Sequence, residues 1–100
     1  MIEIKLPKKI KVGGLTYKIH LDKKGQLQSD HNWGKTSAIL QEVSLEVNAT
    51  PERFSSCFIH ELLHIADTVY LNDQLTEQQV SVLANGLHQA LESMGVRFVK

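Results

Sequence analysis

The sequence predicts an α+β domain, a small mixed or antiparallel sheet packed on two helices. In the first half, apolar residues recur at every second position between Gly- and Asn-rich breaks, the period of strands. In the second half the spacing lengthens to that of helices, with start signals at Thr50-Pro51 and at Thr76. Strands first and helices after favour α+β over a doubly wound fold.

Taken in order, Ile10 to Val12 and Leu15 to Leu21 flank Gly13-Gly14, a pair able to supply the positive φ angles of a tight hairpin turn. A polar stretch follows from Asp22 to Asn32, with Trp33 and Gly34 marking the approach to a third strand, where the aromatic ring is expected to pack rather than bind. Ser37 to Leu40 and Val43 to Val47 read as two more strands, the second alternating Val43, Leu45 and Val47 with Ser44, Glu46 and Asn48. From Pro51 to about Tyr70, the positions Phe54, Phe58, Ile59, Leu62, Leu63, Ala66 and Val69 keep helical spacing. Thr76 and Gln79 have the spacing of a capping box, opening a second helix that runs to about Ser93. Gly95 suits its C-terminal cap, and Val96 to Val99 form a short last strand.

One domain over residues 1–100 is expected, since 100 residues with 42% apolar composition suffice for one core. Eleven basic and eleven acidic residues cancel, which removes the global electrostatic case for nucleic acid or a membrane surface. The early lysines (Lys5, Lys8, Lys9, Lys11, Lys18, Lys23 and Lys24) alternate with apolar positions as the solvated face of a sheet does. Cys57 is the only cysteine, so no internal disulfide forms and a reducing compartment is favoured. With no apolar leader or long apolar span, the expected location is cytoplasmic. The oligomeric state is left open.

The chemistry is concentrated in His60-Glu61-Leu62-Leu63-His64. Residues four apart on a helix lie on one face, about 6 Å apart along the axis, so both imidazoles can reach one Zn2+ ion at about 2.1 Å. Glu61, rotated by about 100°, stands beside the ion as a general base. A catalytic zinc normally takes three protein ligands and leaves one position open. Three acids follow. Asp67 lies about 10 Å of helix rise from His60 and reads as an outer residue, one that could orient His64 through its second ring nitrogen. Asp73 lies in the loop, where solvent is its default. Glu77 opens the second helix, and antiparallel packing would bring it to the metal, so it is the preferred third ligand, although an acid at that position also suits the helix dipole. Ser81 follows on the same side. His88 is too far along, at about 16 Å of rise from Glu77, and reads as surface or core. His20, in a strand, and His31, in the polar loop, have no spacing that joins them to the motif, and Cys57 reads as a small packing residue.

The run Phe58 to Ala66 resembles the active-site helix of the zincin metallopeptidases and, with Glu77 downstream, their gluzincin branch. Lys11-Val-Gly-Gly-Leu-Thr-Tyr-Lys18, the motif helix, Leu75 to Val80 and Leu83 to Leu87 together resemble small phage and prophage metallopeptidases loosely related to the ImmA/IrrE type. The resemblance implies zinc on His60, His64 and Glu77, peptide hydrolysis with Glu61 activating zinc-bound water, and a peptide or protein substrate. It also implies that the substrate pairs with an edge strand, for which Ser37, Ala38, Ile39 and Leu40 are the candidates. The alternative is a zinc-binding domain of the same fold, weakly active or inactive, serving as a protein-interaction module in phage or prophage biology.

Overall fold

A computed structural model describes residues 1–25, 27 and 33–100; His31, with residues 26, 28–30 and 32 of the polar stretch, lies outside the described residues. The strands are β1 (Ile2–Lys5), β2 (Lys9–Val12), β3 (Leu15–Asp22), β4 (Gly34–Ser37), β5 (Glu42–Glu46) and β6 (Val96–Val99), and the helices are α1 (Pro51–Leu71) and α2 (Glu77–Ser93). The fold is α+β, as expected. A mixed sheet in the order β2-β3-β5-β4 packs against α1, and a second, two-stranded sheet pairs β1 with β6 in parallel.

The β2–β3 hairpin turns on Gly13 and Gly14, both at positive φ. Gly13 has a second reason to lack a side chain, because a Cβ there would collide with Val69 of α1. The hairpin therefore sits directly on the helix. β3 then pairs with β5 in parallel, and β4 returns antiparallel to β5, leaving β4 at the sheet edge among the described residues.

The expected strand over Ser37 to Leu40 is displaced. Only Ser37 lies in β4; Ala38, Ile39 and Leu40 form the turn into β5, where Gln41 adopts a left-handed φ of 51°. Ser37 Oγ accepts a hydrogen bond from the Leu40 N–H at 3.2 Å, a local turn bond that replaces strand pairing. Ile39 is 95% exposed, so an apolar run that imitates a strand is a loop tip. The strand lies three residues earlier, on the less apolar Gly34-Lys35-Thr36.

Helix α1 begins as the sequence dictates, with Pro51 in the first turn and the Thr50 hydroxyl accepting from the Arg53 N–H at 3.3 Å. It ends at Asn72, which takes the left-handed conformation with φ 53°. Two stripes run along it. Phe54, Phe58 and Ile65 enter the core with Tyr17, Val43 and Leu45, each buried large side chain contributing about 1.5–3 kcal/mol. Beside that stripe, Arg53, Cys57, His60 and His64 keep the same spacing on the neighbouring face.

Helix α2 carries the complete Thr76–Gln79 capping box and turns Val80 and Ala84 inward. It runs back along α1 and delivers β6, whose Phe98 ring packs tilted against Phe58, with centroids 5.0 Å apart, and whose Phe98 N–H donates to the buried Ser55 Oγ at 3.0 Å. Among the described residues no helix is long and apolar enough to cross a membrane.

Candidate metal centre and its cleft

The second stripe of α1 faces a cleft of about 500 Å³ bounded by α2 and by the start of β4. The volume falls in the ordinary range of small-ligand sites. At one end, His60 Nε2 lies 2.8 Å from Glu77 Oε1, and His64 Nε2 lies 2.9 Å from Glu77 Oε2. The two Nε2 atoms are 3.1 Å apart. The one-turn spacing of the histidines and the antiparallel return of α2 thus bring together the three residues expected as ligands.

For an ionised Glu77, hydrogen bonding alone does not account for these separations. If both Nε2 atoms carry protons for the ionised Glu77 carboxylate, two donors face each other. If either is bare, its lone pair faces a carboxylate oxygen. With Glu77 ionised, no tautomer assignment satisfies all three contacts, whereas a cation among them turns every lone pair into a favourable interaction. The donor set also suits a borderline ion such as zinc, since bonds of about 2.0–2.1 Å at tetrahedral angles separate ligand atoms by about 3.3 Å. The observed spacings are only a few tenths of an ångström tighter.

Glu61 has a different environment. It falls in the core stripe of α1 with Phe54, Phe58 and Ile65, a position where the helical period calls for an apolar residue, and it is only 7% exposed. A buried carboxylate requires partners. Thr36 of β4 supplies one, donating its Oγ1–H to Glu61 Oε1 at 2.7 Å. Gly34 supplies room: a Cβ there would stand 3.1 Å from Glu61 Cγ and 3.4 Å from Oε2. Glu61 is therefore clamped by the edge strand, lines the cleft beside the histidines, and is not one of the three converging groups.

Asp67 does not orient His64. It turns inward, 4% exposed, and its Oδ1 accepts from the Leu75 N–H at 3.2 Å. Asp67 lies one turn past His64 on the same side of α1, but there the loop between the helices returns, and its backbone N–H at Leu75 takes the carboxylate. Its role is to brace the segment that presents Glu77. Asp73, exposed as expected, accepts a hydrogen bond from Thr68 Oγ1 at 2.6 Å across the same loop. Ser81 lines the cleft, whereas His88 and the exposed His20 do not.

Cys57 also lines the cleft, but burial pushes its thiol up to about 11, opposed by the nearby Arg53 and reinforced by Glu61. A neutral thiol is a poor nucleophile. Trp33 departs from the packing role expected of it: it is exposed at the cleft rim, with the Arg53 guanidinium 5.3 Å from its ring centroid.

Sequence reasoning missed Gly34, Thr36, Trp33 and Arg53. Only one signal could have found part of this group, namely that Glu61 interrupts the apolar stripe and so demands a polar partner from the sheet. No family model matches the chain, and neither does any curated protein or solved structure.

Proposed function

We propose that the chain is a zinc-dependent metallopeptidase-type hydrolase, similar in its site to the gluzincin branch of the zincins. The observation that carries this reading is the convergence of His60, His64 and Glu77 at 2.8–3.1 Å beside a fourth group, Glu61, that the structure keeps out of the ligand set. A bound zinc would supply Lewis acidity and lower the pKa of a water from 15.7 toward about 7. Glu61, held by Thr36, takes the proton of the attacking water and delivers it to the amine as the C–N bond breaks. Water oxygen ends on the acyl carbon, and its two protons are shared between the new carboxyl and amine groups. β4 supports the substrate side of the reading, because its edge, unpaired among the described residues, lies next to Glu61 and suits an extended peptide. On this reading Gly34 to Ser37 replaces Ser37 to Leu40 as the docking strand.

The test is the Glu61→Gln chain. It should bind one zinc per chain, as the parent does, and fail to cleave a peptide library that the parent cleaves. Hydrolysis that survives the change sinks the mechanism.

One observation favours a binding module instead: the outer face of α2 exposes Val82, Leu83 and Leu87. A parent chain that holds zinc but turns over no peptide would support that alternative.

A further inference from the structure

The cleft does not end at the metal ligands. It continues along the α1–α2 groove to Arg53, Ser56 and Asn85, with Trp33 on the facing wall. Arg53 is seven residues from His60 on the same face, about 10 Å of helix rise. Asn85 lies two turns beyond Glu77 on α2, which runs back toward that end of α1; the 3.9 Å contact of Arg97 with Glu52 and the Phe98–Ser55 bond fix the direction.

Charge is divided along this groove. Glu61 and Glu77 occupy the metal end, while Arg53, among the described residues, is the only Lys or Arg lining the cleft and has no ion-pair partner. Its guanidinium rests over the Trp33 ring at 5.3 Å, a cation–π contact that restrains it without using its N–H donors. A planar fork whose donors are free among the described residues, flanked by a serine hydroxyl and an asparagine amide, matches a carboxylate.

We infer that the Arg53 end of the cleft is a carboxylate-recognising subsite, which selects peptides carrying a carboxylate about three extended residues from the bond at the metal. The spacing follows from 10 Å of helix rise against about 3.3 Å per residue of extended chain. The carboxylate is supplied by an acidic side chain or by a C-terminus. The inference rests on the peptidase reading for its substrate, but the anion site stands on Arg53 and Trp33.

Calorimetry on the zinc-loaded full-length Glu61→Gln chain, repeated after chelation, tests it with three probes. These are acetyl-Gly-Gly-Gly, its C-terminal amide, and acetyl-Gly-Gly-Glu amide. At least one carboxylate probe should bind about tenfold to a hundredfold more tightly than the neutral amide, and which one does so identifies the source. Arg53→Gln should bring that ratio to about one, and Arg53→Lys should keep part of it, because charge remains while the fork is lost. Asn85→Asp, which places an anion at the same end without touching Arg53, should weaken carboxylate binding as well. Equal affinity for all three probes overturns the subsite. So does a preference that persists in Arg53→Gln and vanishes on chelation, since the carboxylate is then held by the metal. A chain that binds no zinc yet shows an Arg53-dependent preference sinks the peptidase reading and leaves the subsite standing.

Discussion

The two walls of the cleft are built on different principles. On the helical wall, His60, His64 and Glu77 project from α1 and α2 with half-open surroundings, Glu77 being 67% exposed. On the sheet wall, Glu61 is enclosed, bonded to Thr36 and pressed against the bare backbone of Gly34. The helical wall brings together three groups whose donor atoms could hold a cation. The sheet wall restrains one carboxylate so that it stays out of that set. Two glutamates in one cleft thus receive opposite roles from their surroundings, and that separation is open to experimental attack.

The largest effect is expected from the helical wall. His60→Ala, His64→Ala or Glu77→Ala should each lower zinc affinity by more than about 100-fold, beyond what the loss of an outer partner costs, as read by competition with a chelating dye. If Glu77→Ala binds zinc as the parent does, the third ligand is wrong. Next comes Glu61→Gln, where the rate should fall by about 10²–10⁴ with zinc retained.

Smaller again, Thr36→Val should reduce the rate by about tenfold, one hydrogen bond's worth of positioning, while leaving zinc affinity unchanged. Gly34→Ala should act in the same direction. An equal loss of zinc in either variant would erase the distinction between the walls. Gly13→Ala, far from both, should lower stability by about 1–3 kcal/mol in denaturant melts through overpacking on Val69 and a left-handed φ, without altering zinc affinity.

The smallest effect lies at the Glu92–Arg97 pair, where two hydrogen bonds of 3.1 and 2.7 Å hold the Glu92 carboxyl below its ordinary range. Its contribution is present above the unfolded carboxylate value and is lost as pH falls through the depressed folded one. Arg97→Gln should therefore flatten the acid limb of the stability profile below about pH 4.5 and leave both walls untouched.

The same contrast explains what could be read in advance. A helix converts sequence spacing into spatial spacing, so His60 and His64 declared their shared face, and the capping box at Thr76 located the start of α2 and with it Glu77. The sheet offered no such ruler. Ala38-Ile39-Leu40 has the composition of a strand, while Gly34-Lys35-Thr36 does not, and only the pairing of β4 with β5 brings Thr36 opposite Val43 on the helix-facing side. Arg53 was readable as a point on a helix face, but its link to Trp33 crosses from helix to sheet margin, a contact that no local period encodes. Asp67 was misassigned for the converse reason: its distance from His60 was correct, but the loop it braces returns from residue 75.

The β1–β6 pairing has a kinetic corollary. It joins Ile2 to Val96 and Lys5 to Val99, so the chain between them must be in place before this ladder can close. Contacts of such sequence separation carry a large loop-closure entropy and slow the search. The hairpin and the two helices can form around their local signals, whereas the β1–β6 ladder waits for α2 to lie along α1. In amide exchange, the Ile2 and Leu6 amides, bonded to Gly95 O at 2.6 Å and Val99 O at 2.9 Å, should gain protection last on refolding, after the α1 amides have closed.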